Sequence, residues 1–115
     1  ETTHIFEVPV NRIDIERAVF QPEILGSLTG EYEAFIYGDE ESEVTLRISV
    51  EAEDRDSCDI RHIEGVITAN LLAHLPPLEG AFSDDTFRIS VNVTSPGGLE
   101  LHHIRGRPKR LVDRR

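Results

Sequence analysis

The sequence holds a single cysteine, Cys58. No internal disulfide can form, and a reducing compartment, the cytoplasm, is the simplest expectation. No apolar run approaches the ~20 residues that a bilayer span requires, so no membrane partner is expected. The opening Glu1-Thr2-Thr3-His4 has neither the basic nor the apolar region of a signal peptide. A start on Glu reads as a piece of a longer protein or a trimmed one. Lysine is almost missing, with Lys109 alone against eleven arginines, a bias that carries no chemistry. Chemical signatures are also scarce. No Gly-rich phosphate loop precedes a helix, and no nucleophile elbow appears. The histidines His4, His62, His74, His102 and His103 do not pair at ligand spacing with an acid or cysteine, so no metal site is expected. The acids Asp39, Glu40, Glu41 and Glu43 sit in a turn without a calcium-loop pattern.

What is present is one domain, 1–115, of globular composition, with 38% hydrophobic and 30% charged residues. Ile5-Phe6-Glu7-Val8 is β-prone and Pro9 limits its extension. Asn11 with Asp14 three residues on forms a loose capping box, and Ile15, Ala18 and Val19 follow at helical spacing, which predicts a helix over 12–20. Gln21-Pro22 stops it, and Ile24, Leu25 and Leu28 fall in a turn-rich linker ending at Gly30. Residues 31–37 predict a strand. Val44, Leu46, Ile48 and Val50 alternate with polar residues and predict its hairpin partner across a polar turn at 38–42. Asp56 or Ser57 is the expected cap of a second helix carried by Ile60, Ile63, Ile67 and Leu71 and closed by Leu75 before Pro76-Pro77. Residues 77–85 read as a loop. Phe87, Ile89, Val91 and Val93 predict a last one-sided strand, ended by Ser95-Pro96-Gly97-Gly98. The order β-α-β-β-α-β predicts an α+β, ferredoxin-like two-layer sandwich, with two helices on one face of a four-stranded antiparallel sheet. An extended basic tail over 97–115 completes it.

Charge is divided unevenly. From Arg105 onward six bases face one acid, Asp113, a charge of +5; the preceding residues hold six bases and twenty-one acids, a charge of −15. A basic arm on an acidic body either meets an anion, folds back on the body, or is a solvated end. Nucleic acid is not expected: the body repels phosphate backbones, and the outward sheet positions Arg88, Ser90, Asn92, Thr45 and Arg47 supply no stacking aromatics.

At the tail the sequence resembles a family. Pro96-Gly97-Gly98-Leu99 followed by Gly106-Arg107-Pro108-Lys109-Arg110-Leu111-Val112-Asp113-Arg114-Arg115 is similar to the end of phenylacetate–CoA ligases and coenzyme F390 synthetases, which are adenylate-forming enzymes. The front, Val8 to Val19 with Val8-x-Val10 and Ile15-Glu16, is similar to the family's Val-Asn-Val-Phe-Pro-Ser-Gln-Ile-Glu-Glu segment. The resemblance implies a C-terminal lid domain that swings between two half-reactions. In the first a carboxylic acid attacks the α-phosphate of ATP, accompanied by Mg, and releases pyrophosphate. In the second coenzyme A displaces AMP. ATP and coenzyme A would be held by a large N-terminal nucleotide-binding domain of the same chain. The family's tail lysine, which serves adenylation, falls on Arg107 when aligned by Gly106, and its second lysine falls on Lys109. The resemblance therefore implies Arg107 and Lys109 as catalytic, and Arg105, Gly106 and Arg110 as cofactor-binding. Arginine for lysine is a departure, because a planar fork replaces a compact point charge. Thr2-Thr3-His4 also departs from the family's hinge lead.

The expected function is therefore the lid of an AMP-forming acid–CoA ligase, inactive when isolated. Two alternatives stand beside it. One is a ferredoxin-like small-molecule sensor or oligomerisation module without catalysis, for which a homodimer would be the working form. The other is an adenylation domain serving a carrier protein in place of coenzyme A.

Overall fold

Asn11 does two jobs. It ends a short hairpin of β1 (Thr2–Ile5) and β2 (Val8–Asn11), and it starts α1 (Arg12–Val19). Its Oδ1 accepts from the backbone N–H of Ile13 at 2.9 Å and Asp14 at 3.2 Å, while Asp14 Oδ2 accepts from Asn11 N–H at 2.9 Å. The capping box satisfies N–H groups that a helix start leaves without intrahelical partners. This is a computed structural model, and it describes residues 2–100 and 110–115.

The linker expected after α1 is more ordered than its sequence implies. Pro22, suited to the first helical position, opens a single turn, α2 (Pro22–Leu25), and Leu28 already begins β3 (Leu28–Asp39). β4 (Glu43–Ala52) returns antiparallel from Tyr32↔Val50 to Asp39↔Glu43. Gly38 beside this turn has φ +102°, and a Cβ there would run into the carbonyl of Glu43, so glycine is required. A 3₁₀ turn at Arg55–Ser57 follows. It absorbs the two residues expected to cap the next helix, and Asp59 is the cap of α3 (Ile60–His74), accepting from His62 N–H at 3.1 Å. A 3₁₀ turn at Pro76–Leu78 and α4 (Glu79–Ser83) occupy the predicted loop before β5 (Phe87–Thr94). The chain ends on β6 (Leu111–Asp113).

The α+β two-layer sandwich is as expected; the sheet differs in three respects. Its order is β5-β4-β3-β6. β5 lies parallel to β4 and β6 parallel to β3, so it is mixed and not antiparallel. The first predicted strand, over residues 5–8, is instead the bend of the β1–β2 hairpin, with Phe6 and Glu7 as its turn, and Pro9, which supplies no N–H to a central ladder, sits in this short side pair outside the main sheet. The place beside β3 is taken by the C-terminal strand, so residues 110–115 are not an extended free tail.

Alternation places Tyr32, Ala34 and Ile36 of β3 and Val44, Leu46, Ile48 and Val50 of β4 in one buried layer. Ile15, Ala18 and Val19 of α1 and Ile63, Val66, Ile67 and Leu71 of α3 complete it. Full burial of each such aliphatic side chain contributes about 1.5–3 kcal/mol. This packing holds α3 despite the helix-weakening Gly65 and Asn70.

Candidate functional site

The face of the sheet turned away from the helices carries the ends of the basic region. Residues 97–100 cross it. Gly97 N–H donates to Glu51 Oε2 at 2.9 Å, and Glu100 N–H donates to Glu33 Oε1 at 2.6 Å. Both acids are buried, Glu33 at 2% and Glu51 at 6% exposure, and Glu51 also accepts from Thr29 Oγ1 at 2.9 Å. Burying a carboxylate is costly unless it accepts hydrogen bonds, and backbone N–H groups supply them here. Leu99 and Phe35 are buried as well, although neither belongs to the helix-side core.

The chain rejoins at Arg110. The N–H of Ala34 donates to the Arg110 carbonyl at 2.8 Å, and Arg114 N–H donates to the Ile36 carbonyl at 2.8 Å. These bonds bracket β6 on β3. The Arg110 guanidinium donates to the Tyr32 carbonyl at 2.8 Å and to Glu31 Oε2 at 2.6 Å, and lies 5.4 Å from the Tyr32 ring centroid. Arg114 stacks 3.9 Å above the Phe35 ring and bonds Glu100 Oε1 at 2.8 Å. That bond holds the Glu100 carboxyl below its ordinary range and raises the Arg114 guanidinium.

Arg115 joins three segments. It donates to Asp113 Oδ2 at 2.7 Å, to Glu40 Oε1 of the β3–β4 turn at 3.1 Å and to the His4 carbonyl of β1 at 2.6 Å. Thr3 Oγ1 donates to Asp113 Oδ2 at 2.9 Å, and Phe6 N–H donates to Glu40 Oε1 at 2.9 Å. Phe6 and Glu7 form the hairpin turn in the left-handed region, φ 49° and 66°, unusual for non-glycine residues. The Arg115 hydrogen bond carries the Asp113 carboxyl far below the usual carboxylate range. On the other face, burial and then the hydrogen bond to Glu16 push the Tyr32 hydroxyl well above its ordinary value.

Of the residues expected to act, Arg110 is braced against Glu31 and Tyr32. Arg105, Gly106, Arg107 and Lys109 lie outside the described residues, as do His102 and His103. The Cys58 thiol is directed at the Asp54 carbonyl at 3.2 Å. Among the described residues no group of three or more His, Cys, Asp or Glu side chains could hold a metal ion. Glu33 and Glu51 gave no sequence signal as anchors. On alternating strands they read as solvent-facing, and the residues that cover them come from a distant part of the chain.

No protein family and no curated protein matches this sequence. Solved structures do. Superposed on a domain of phenylacetate-coenzyme A ligase from Bacteroides vulgatus ATCC 8482, the chain is covered in full, along with 93% of that domain, at a TM-score of 0.68 and 19% identity. Superposed on an open conformation of 2-hydroxyisobutyryl-CoA ligase in complex with 2-HIB-AMP and CoA, 98% of the chain is covered, at a TM-score of 0.62 and 14% identity. The chain spans 21% of the length of that second protein. It therefore has the fold of a ligase domain.

Proposed function

We propose that this chain is the C-terminal lid domain of an AMP-forming acid–CoA ligase similar to phenylacetate–CoA ligase. The observation that carries the reading is the full-length match to a solved domain of such a ligase, nearly end to end in both chains. The six-to-one excess of bases over acids in the last eleven residues supports it independently.

In this reading a larger N-terminal domain binds ATP with Mg, the carboxylic acid and coenzyme A, and this domain moves against it between the two steps. Negative charge builds on the carboxylate and α-phosphate oxygens as the acid attacks. A pre-placed cation stabilises that charge more than the ground state and so accelerates adenylation. Arg107 and Lys109 supply that cation. Arg105, Gly106 and Arg110 make the nucleotide-facing surround, Arg110 from a side chain already held by Glu31. The acid's phosphate-bound intermediate must be shielded from water until coenzyme A arrives, which is the second task of a closing domain.

The test is kinetic, in the polypeptide that joins this chain to its nucleotide-binding domain. Lys109→Ala and Arg107→Ala are expected to slow acid-dependent pyrophosphate release at least tenfold, about 1.4 kcal/mol of transition-state stabilisation, while Arg107→Lys retains activity. The isolated chain is expected to form no acyl-adenylate. Changes within twofold for both alanine variants, or adenylation by the isolated chain, would refute the reading.

A further inference from the structure

β5 ends the sheet on the side away from the chain's C-terminus. It runs parallel to β4 in unbroken register from Val44↔Phe87 to Glu51↔Thr94. Val44 N–H donates to the Thr86 carbonyl at 2.9 Å. In a parallel ladder one residue directs both backbone groups to one neighbour, and the next directs both away. Residues 88, 90, 92 and 94 therefore bond β4, and Phe87, Ile89, Val91 and Val93 turn their N–H and C=O groups to the outer edge. One contact checks the assignment: Arg55 Nε donates to the Val93 carbonyl at 2.7 Å.

That guanidinium closes one end of the edge. The other end abuts α4, where Thr86 donates to the Ala81 carbonyl through its N–H at 3.0 Å and its Oγ1 at 3.2 Å. Ile89 and Val91 lie between, half-buried against the core, with Arg88 and Ser90 exposed beside them. Among the described residues the usual protections of a sheet edge are missing between Arg55 and α4. β5 has no proline and no bulge, and its one charge, Arg88, is paired with Glu43 at 3.2 Å. The anchors on either side of 101–109, Glu100 on Glu33 and Arg110 on Glu31, both lie at β3, not at β5.

We propose that this edge pairs antiparallel with β5 of a second copy of the chain, about a two-fold axis through Ser90. The register follows from the backbone. Ile89 would face Val91 of the second copy, and Val91 its Ile89, satisfying the outward N–H and C=O groups of both in four hydrogen bonds. A slip of one residue would set outward groups against groups already bonded to β4, leaving no ladder. An axis at Val91 would need the Val93 carbonyl held by Arg55, and an axis at Ile89 would drive the pairing into α4. With the axis at Ser90, apolar side chains meet apolar ones on the helix side. On the other face Arg88 meets Asn92, and no like charges meet. The continuous sheet would have eight strands. This proposal is independent of the ligase reading.

Sedimentation of the 13.0 kDa chain tests it. Weight-average mass is expected to climb toward twice the monomer value with concentration. Across the axis the two Ser90 residues form a non-hydrogen-bonded pair with Cα atoms about 4.5 Å apart. Ser90→Lys therefore opposes two ammonium groups and is expected to raise the dimer Kd about fivefold. Asn92→Asp sets a carboxylate opposite Arg88 and is expected to lower it about fivefold, and Asn92→Lys to raise it. Circular dichroism checks folding, and the two Asn92 variants decide the matter should Ser90→Lys unfold. A mass fixed at the monomer value to millimolar concentration, or Kd values within twofold for both Asn92 variants, would overturn the proposal.

Discussion

Arg115 sits where the two ends of the chain meet, and its guanidinium serves Asp113, Glu40 and the His4 carbonyl at once. Such a pair is partly solvated, so its net contribution is about 1 kcal/mol or less. Its pH dependence has a definite sign. The folded Asp113 carboxyl titrates far below its unfolded value, chiefly because of the hydrogen bond from Arg115. Its stabilisation is present above the unfolded carboxylate range, about pH 4, and is lost as pH falls from there toward the folded value. Asp113→Asn should therefore lower Tm near neutrality, and the gap from the unsubstituted protein should narrow as pH falls below about 4. Thermal melts from pH 7 to pH 2.5 measure it, and a gap widening toward acid would contradict the assignment. Arg114, stacked over Phe35 and bonded to Glu100, shows why charge counting alone could not place the tail. Arginine covers an aromatic ring and pairs with an acid at the same time, so a basic end can belong to an acidic body.

At the scale of elements, α1 is the most legible part of the fold. Its cap, its apolar spacing and the Gln21-Pro22 stop all lie within twelve residues, and each is a local chemical rule. Asn11→Ala removes the side-chain acceptor for Ile13 and Asp14 N–H. It is expected to cost about 1 kcal/mol, seen as a Tm lower by about 4 °C; an unchanged Tm would mean that the hairpin alone fixes the helix start. The α3 cap was misplaced by sequence reasoning because three acids and a serine crowd residues 54–59. Ser57 Oγ is committed to Asp54 at 2.7 Å, leaving Asp59 for the helix. β5 was legible as a strand but not as an edge, since alternation reports which face is buried and not which neighbour lies alongside.

For the whole molecule, the decisive contact is β6 on β3. Three residues of strand are too few to stand alone, and they hold here through Leu111, 6% exposed, the bonds of Arg110 and Arg114 to β3, and the ion pairs with Glu31, Glu100 and Glu40. Deleting residues 110–115 uncovers the β3 edge and unties the β1–β2 hairpin together. The expected loss is at least about 3 kcal/mol, the buried leucine supplying most of it. Urea unfolding would show it as a lower midpoint; a midpoint unchanged by the deletion would show that the strand contributes nothing to stability. The lid reading is compatible with this anchoring. In the proposed function the cations would be delivered by motion of the whole domain.

The sequence by itself determined α1, α3, the β3–β4 hairpin, β5 as a strand, the buried layer their apolar residues share, and a family resemblance, because periodicity, caps and motifs are properties of neighbours along the chain. Only the tertiary structure decided strand order, the parallel pairing of β6, the burial of Glu33 and Glu51, and the place of β5 at the end of the sheet. Those depend on residues tens of positions apart meeting in space. Hydrogen-bond satisfaction and burial choose among such meetings, and local pattern has no access to them.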